Sequence, residues 1–301
     1  MATPQPGIFA LGTRSHHHLE LDLVGDLGEL VVALDQVREA VTTVAGVNLV
    51  VGFGPSLWSR LAPGEVPEEL ADFTPIEGVD GIVLPAEQHD VWLWLHAGGP
   101  DAVFQSARAA ALALAPTAEV RAEQPSFAYL ASQDLTGFED GTENPPIDEA
   151  LTAAVVPEGR PGEGASVVLV QRWVHDLDAF EALPVPEREA VFGRTLVGSQ
   201  ELPDDVRPAS AHISRVVVED DAGEELEVFR RSTAFGGVVE HGLEFVAFSA
   251  DHARLVRMLH RMVGAEDGVH DRLLDFSRPT RGAWYVTPSL DALRSLAGAA
   301  S

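Results

Sequence analysis

Two Asp residues in the first half of the chain have counterparts in the second half, and this spacing is the feature that most constrains the fold. Asp26 and Asp176 are 150 residues apart, and so are Asp101 and Asp251. Each Asp follows an apolar, strand-like segment and precedes a stretch with the apolar periodicity of a helix. Because Asp is favoured at helix N-termini, the pattern predicts that the same strand-to-helix units occur in both halves.

The recurring pattern indicates a tandem duplication of a strand–helix–strand–strand–helix–strand unit, which is the ferredoxin-like fold. We therefore predict an α+β protein with two ferredoxin-like repeats, in which antiparallel sheets carry their helices on the outside. The predicted boundaries are an N-terminal repeat at residues 1–132, a linker at residues 133–165 and a C-terminal repeat at residues 166–301. The apolar segments predict strands at residues 17–23, 47–53, 90–96, 120–129, 166–173 and 243–248.

The composition excludes several classes of function. A net charge of −27 is unsuited to nucleic acid and to an anionic membrane surface, since both attract basic proteins. The chain has no Cys, so a transition metal bound by its side chains must use His or carboxylate ligands. No apolar run approaches the roughly 20 residues that span a bilayer, and residues 1–12 lack the basic start of a signal peptide. We expect a soluble cytoplasmic protein with neither nucleic acid nor membrane as a partner.

The loop at residues 137–145, with the sequence GFEDGTENP, lies near the middle of the chain between apolar segments. Its two Gly residues and its Asn-Pro pair are turn formers, so it belongs to neither a helix nor a strand. One interpretation is a solvated linker between two repeats. The other is a loop held between two folded halves, with Asp140 available to a site.

Three further residues are candidates for chemistry. His212 stands just before an apolar, strand-like run, and Arg230 stands 18 residues later beside a Gly-ended loop. An Arg beside a pocket can stabilise a developing negative charge. Asp275 lies among apolar residues and needs a partner if it is buried.

These residues resemble those of a known protein family. The GFEDGTENP loop is similar to the GxxDGT-type motif of the dye-decolourising peroxidases, in the extended form typical of their B type. The opening segment at residues 4–9 also resembles that family. The resemblance implies one haem b per chain, bound in the second repeat, with His212 as the axial ligand of the haem iron and Asp275 as the carboxylate behind it.

The resemblance also implies roles on the open side of the haem. Asp140 would move a proton of the peroxide, and Arg230 would stabilise the charge that develops as the O–O bond breaks. The family's distal loop usually reads Arg-Asp-Asn, whereas this chain has Arg230, Arg231 and Ser232. Ser232 thus replaces the distal Asn with a shorter side chain that is expected to hold a water.

Three more residues are expected to bind the haem itself. Arg194 matches a family Arg near the haem propionates. Phe245 and Phe248 are expected to line the haem face. Each of the two Phe residues also has a simpler interpretation as part of the apolar core.

The predicted function is a haem peroxidase that reduces hydrogen peroxide and oxidises dyes, phenols or similar one-electron donors through a ferryl haem intermediate. The alternative is a haem-binding protein for storage, transfer or iron release. A third interpretation is a ferredoxin-like module without haem. The resemblance implies a homo-oligomer, and because the sequence ends soon after a short predicted helix, we do not expect encapsulation in a protein compartment.

Overall fold

Antiparallel strands form the centre of the molecule. The computed structural model describes residues 2–43, 46–130, 133–219, 223 and 225–300. Its strands are β1 (Ser15–Leu23), β2 (Asn48–Phe53), β3 (Ile76–Glu77), β4 (Val83–Leu84), β5 (Val91–Ala97), β6 (Ala118–Phe127), β7 (Ser166–His175), β8 (Phe229–Arg230), β9 (Thr233–Gly236), β10 (His241–Ser249) and β11 (Ser277–Thr287).

Helices connect the strands. They are α1 (Leu27–Thr43), α2 (Pro55–Leu61), α3 (Pro100–Leu114), α4 (Ala150–Ala154), α5 (Leu177–Glu181), α6 (Val185–Phe192), α7 (His212–Val216), α8 (His252–Met262) and α9 (Leu290–Ala300). Single 3₁₀ turns lie at Pro6–Phe9, Val79–Gly81 and Arg272–Asp275. In the part of the chain that the structure describes, no helix combines the length and apolar character needed to cross a bilayer.

The strands form two four-stranded units that close into one barrel. The first unit has the order β2-β5-β1-β6 and the second has the order β11-β7-β10-β9, which is the ferredoxin-like order in both cases. The units join where β6 pairs with β9 and where β11 pairs with β2. The duplicated ferredoxin-like fold is therefore confirmed, and its two sheets form a continuous ring.

Side chains alternate between the inside and the outside of this ring. Trp92 and Trp94 of β5 lie 6.4 and 6.0 Å, between ring centroids, from Phe248 of β10. Because β5 and β10 are not neighbours in the ring, these contacts cross its interior. The larger apolar cluster lies on the outer face, where α1, α3 and α8 pack against the strands.

A charged network is enclosed within the barrel. The hydroxyl of Tyr285 donates to Oε2 of Glu20 at 2.6 Å. The guanidinium of Arg281 donates to Oε1 of Glu244 at 3.0 Å and lies 3.3 Å from Oε1 of Glu20. Burial raises the pKa of Glu244 to about 7, although the charge of Arg281 opposes that rise.

Three of the four repeated Asp residues cap the N-termini of their helices. Asp176 and Asp251 each accept a hydrogen bond from a backbone amide of the first helical turn. Asp26 accepts two, from the amides of residues 28 and 29. The prediction is wrong for Asp101, because α3 begins at Pro100, one residue earlier, with Gly99 as its cap. Pro suits a first helical position, where its missing N–H costs no bond.

The linker between the repeats is largely irregular. Its bridges join Gln133 to Tyr129 and to Glu139, and α4 lies near its end. The predicted boundary after residue 132 falls on residues 131 and 132, which lie outside the described residues. The bounds of the three predicted segments stay predictions, because both repeats contribute strands to one barrel.

Candidate active site

The main cavity lies on the outer face of β7 and β10. Its volume is about 1040 Å³ when the open mouth is included. The two strands contribute outward-facing side chains, while α7, α8 and the loop at residues 134–143 enclose the other sides. The strand and helix residues lining it include Gln171, Trp173, His175, Leu243, Phe245, Met258 and Met262.

His212 is the first residue of α7 and lines the main cavity. Its Nδ1 lies 2.6 Å from Oδ2 of Asp271, a distance at which the ring N–H donates to the carboxylate. Asp271 is completely buried, and its other oxygen accepts the backbone amide of Leu273. The arrangement leaves Nε2 of His212 as the ring nitrogen able to bind a metal.

The expectation that Asp275 stands behind His212 is wrong. Asp275 contacts Nε2 of His270 at 3.2 Å, and its side chain is about half exposed. The 3₁₀ turn between the two acids explains the difference. Asp271 caps the start of this turn beside His212, and the turn carries Asp275 to the protein surface.

Asp140 and Arg230 line the same cavity from the loop and from β8. The pKa of the Asp140 carboxyl is raised because the group is buried; the charge of Arg230 opposes this rise and the charge of Asp134 adds to it. Nε of Arg230 is buried and has no hydrogen-bond partner among the described residues. Nε of Arg230 is therefore left to interact with a molecule in the cavity, which Asp140 also lines.

The Asn of the GFEDGTENP motif links the loop to Arg230. The side chain of Asn144 donates to the carbonyl of Arg230 at 2.9 Å and accepts its amide N–H at 2.8 Å. Gly137 and Gly141 adopt φ values of 90° and 79°, which other residues rarely adopt. The motif thus fixes the position of Asp140 relative to Arg230. The sequence had indicated the loop without indicating this function for Asn144.

A second buried group in the cavity was missed by the sequence reasoning. Oδ1 of Asp134 lies 3.2 Å from Nε2 of His175, whose Nδ1 lies 2.8 Å from the hydroxyl of Ser277. Burial alone would raise the pKa of Asp134, but hydrogen bonds from His175, Thr136 and the amide of Leu135 lower it overall. The Asp-x-Thr pattern just before Gly137 was the available signal, since both side chains favour turns.

Arg194 and Phe245 line the main cavity, but Phe248 does not. Arg194 pairs with Glu143, donates to the carbonyl of Ser199 at 2.7 Å and reaches Glu201 at 3.2 Å. Phe248 is fully buried inside the barrel, so its predicted place on the haem face is wrong. Phe245 and Phe248 are three residues apart on one strand, and their side chains therefore point to opposite faces.

Ser232 lines a different cavity, which it shares with Asp140 and Leu243. Its hydroxyl is buried and lacks a hydrogen-bond partner in the described part of the chain. Its predicted role of holding a distal water stays a prediction.

The family of the chain is decided by comparison with known sequences. The family model described as Dyp-type peroxidase, C-terminal, matches residues 131–292, and its N-terminal counterpart matches residues 24–128. The chain belongs to the Dyp-type peroxidase family.

Individual relatives agree with this assignment. The Dyp-type peroxidase described here is 36% identical over 252 residues to the dye-decolorizing peroxidase of Rhodococcus erythropolis strain PR4, covering 82% of this chain and 74% of the relative. Its fold is similar to that of DyPB from Rhodococcus jostii RHA1, with a TM-score of 0.90, 32% identity and coverage of 97% and 98% of the two chains. A variant of DypB from the same organism, solved in complex with haem, has a TM-score of 0.90, 32% identity and coverage of 98% and 99%.

The residues of the main cavity fit a haem. His212 offers a free ring nitrogen backed by a carboxylate, which is a typical arrangement for a metal-binding imidazole. Apolar side chains such as Phe245 and Met258 suit the faces of the macrocycle, and Arg194 offers a cation for its carboxylates. The unpartnered Nε of Arg230 marks a polar position on the cavity wall.

Membership of the family identifies the enzyme as a haem-dependent peroxidase, which acts on hydrogen peroxide and on a separate reductant. When bound, the haem supplies the iron that exchanges electrons with both. The alternative of a haem storage or transfer protein is not favoured, because the curated relatives are dye-decolorizing peroxidases over most of the chain.

Proposed function

We propose that His212 is the axial ligand of the haem iron and that Asp271 holds its ring. The observation that carries this proposal is the 2.6 Å contact between Nδ1 of His212 and Oδ2 of the buried Asp271. The carboxylate fixes the tautomer, so Nε2 is presented without its proton. It also increases the electron-donating character of the imidazole, which favours a more oxidised iron.

Asp140 and Arg230 act on the peroxide. Breaking the O–O bond requires that one oxygen loses a proton and the other gains one. In its ionised form, Asp140 accepts the first proton and then returns it to the leaving oxygen. Arg230 stabilises the negative charge that develops as the bond breaks. Asn144 holds these two residues together, as supported by its two hydrogen bonds to the Arg230 backbone.

Arg194 and Phe245 bind the cofactor, and dyes, phenols or similar one-electron donors supply the electrons. Arg194 would meet a haem propionate at the edge of the main cavity. There the propionate competes with Glu143 for the Arg194 guanidinium. The assignment to the B type, the cytoplasmic location and the homo-oligomeric state stay predictions from the sequence.

The axial assignment is tested by the absorption spectrum of the haem-supplied protein. Wild-type protein should show a Soret band typical of histidine-ligated haem, and His212→Ala should lose it. A His212→Ala variant with an unaltered histidine-ligated spectrum would show that another residue binds the iron.

The distal roles are tested by mixing the holoenzyme with hydrogen peroxide in a stopped-flow instrument. A rapid, stoichiometric spectral change followed by donor oxidation supports the peroxidase mechanism. A spectrum that stays constant until the haem bleaches would instead indicate a haem carrier.

A further inference from the structure

A second cavity lies on the far side of Asp140 from the main cavity. This side cavity has a volume of about 880 Å³ with its open mouth. Asp140 and Leu243 line both cavities, so the two meet at these residues. Leu11 and Leu130, which are 58% and 60% exposed, line the side cavity where it opens to solvent. The side cavity is therefore a route from the surface to the proposed proton acceptor.

The side cavity is much larger than hydrogen peroxide requires. A water molecule occupies about 30 Å³ in the liquid, and hydrogen peroxide adds only one oxygen atom to it. About 280 Å³ of the side cavity is open to the centre of a water-sized molecule, whereas a single water needs only about 10–15 Å³ of such space. A molecule with a substituent on the peroxide group therefore has room here.

The walls of the side cavity combine apolar and polar surface, which suits a ligand with an apolar group and a polar end. Leu11, Leu130 and Leu243 supply apolar surface. His16 is neutral at ordinary pH because burial lowers its pKa to about 4. Arg14 and Arg231 also line the side cavity, but the guanidinium of Arg231 is already engaged, since it donates to the carbonyls of residues 8 and 10 and lies over the Trp94 ring.

Ser232 provides an unpartnered polar group in the side cavity, which Asp140 also lines. Its buried hydroxyl has no hydrogen-bond partner among the described residues, although buried polar groups are nearly always paired. A ligand oxygen at this position would satisfy it. The short Ser side chain also leaves space where the longer Asn of the family motif would extend.

We propose that the side cavity admits organic hydroperoxides that carry a compact apolar group. The proposal rests on the proposed role of Asp140. The apolar group lies against Leu11, Leu130 and Leu243, and the hydroperoxide group reaches Asp140 and Ser232. In the net reaction the O–O bond breaks, two protons and two electrons are taken up, and one alcohol and one water are formed. The electrons come from two molecules of the one-electron donor that the peroxidase reaction already uses.

The experiment compares cumene hydroperoxide with hydrogen peroxide in the haem-loaded enzyme. We expect the stopped-flow rate constants of the wild type to agree within about tenfold. Leu11→Trp, which narrows the opening, should lower the ratio of the cumene hydroperoxide rate constant to the hydrogen peroxide rate constant by about tenfold, a typical penalty for a pocket that loses part of its space. Leu112→Trp is the matched control, because Leu112 is 59% exposed on α3, away from both cavities.

Binding is measured separately with cumyl alcohol, which has the same apolar group but cannot react. Saturation-transfer NMR should detect it on the wild-type holoenzyme and on Leu112→Trp, and much more weakly on Leu11→Trp. Cumyl alcohol should also slow the reaction with cumene hydroperoxide competitively.

Two results would overturn the proposal. One is a wild-type enzyme that reacts rapidly with hydrogen peroxide but more than about a thousandfold more slowly with cumene hydroperoxide, a discrimination too large for a cavity with room for the substituent. The other is a Leu11→Trp variant in which the rate constants and the binding of cumyl alcohol are both unchanged. If the wild type has a normal Soret band but reacts with neither oxidant, the proposed distal function fails as well.

Discussion

Nδ1 of His212 lies 2.6 Å from Oδ2 of Asp271, and this contact joins residues that are 59 positions apart in the chain. Asp271 is held in turn, because its second oxygen accepts the amide of Leu273. Neither the ring nor the carboxylate can therefore rotate without losing a hydrogen bond. The pair sets the direction in which Nε2 faces the main cavity.

Asp271→Asn should weaken haem binding by about 10- to 100-fold, a typical effect of removing the partner of a metal-binding His. The amide keeps the shape of the carboxylate but removes its charge, so the imidazole becomes a poorer donor. Haem affinity is measured by titration of the apoprotein, and the electronic effect by the reduction potential, which should rise.

Asp275→Asn is the matched control for this prediction. Asp275 contacts His270 at the surface, so its substitution should change haem affinity by less than about twofold, as expected for an exposed pair. The reduction potential should stay at its wild-type value. A larger effect from Asp275→Asn than from Asp271→Asn would support the prediction from the sequence that Asp275 is the carboxylate behind His212.

Asp134→Asn should shift the acid limb of the peroxide reaction to lower pH. The negative charge of Asp134 contributes to the raised pKa of Asp140, so removing that charge lowers the pKa of Asp140. Because Asp140 accepts a proton only when ionised, the variant should stay active at pH values where the wild type has lost activity. The measurement is the second-order rate constant for hydrogen peroxide as a function of pH.

Thr136→Val separates charge from loop geometry in this test. It removes the 2.8 Å hydrogen bond to Asp134 but leaves the negative charge in place. The acid limb should therefore move much less than in Asp134→Asn. An equal shift in both variants would show that the loop conformation, and not the charge of Asp134, determines the pH dependence.

Arg230→Leu should slow the reaction with hydrogen peroxide by about 10²- to 10³-fold, the usual loss when a group that stabilises developing charge is removed. Ser232→Ala should slow it by less than about tenfold, as it removes one neutral hydroxyl. Stopped-flow rate constants at a fixed pH provide the comparison. The reverse order would contradict the role assigned to Arg230.

Glu244→Gln should remove a pH-dependent loss of stability. Burial raises the pKa of Glu244 from 4.5 to about 7 in the folded protein, so protonation of Glu244 favours folding. Its stabilising contribution is complete below pH 4.5 and is lost as pH rises through about 7. The wild-type free energy of unfolding should therefore fall by a few kcal/mol relative to the variant between about pH 5 and pH 8.

Urea unfolding of both proteins across this pH range checks the prediction. Glu181→Gln serves as the control, because Glu181 is an exposed residue at the end of α5. Its pH dependence should follow that of the wild type. Parallel curves for wild type and Glu244→Gln would mean that Glu244 does not titrate in this range.

The sequence was sufficient to predict the duplication and six of the eight strands of the ring, because these depend on local signals, whereas β9 and β11 were not among the predicted strands. Apolar periodicity identified the predicted strands, and helix-capping preference explained Asp26, Asp176 and Asp251. The closure of the ring was not predictable. It depends on pairing between β6 and β9 and between β11 and β2, which are distant in the chain and carry no local signal.

The candidate site shows the same division. The loop motif and His212 were recognisable, and they line the same cavity as Arg230. The choice between Asp271 and Asp275 depends on a single 3₁₀ turn, whose orientation the sequence does not specify. The strand pattern alone excludes Phe248 from the face that Phe245 lines, because two residues three apart on a predicted strand cannot share a face.

The closed ring also limits how copies of this protein can associate. An open sheet presents a row of unpaired backbone N–H and C=O groups on which a strand from another molecule can add. Here both repeats use those groups to pair with each other, from Val286 with Phe53 at one junction to Phe127 with Ala234 at the other. Assembly of several copies would therefore not extend this ring and would use surfaces outside it, such as the side chains of the outer helices and loops.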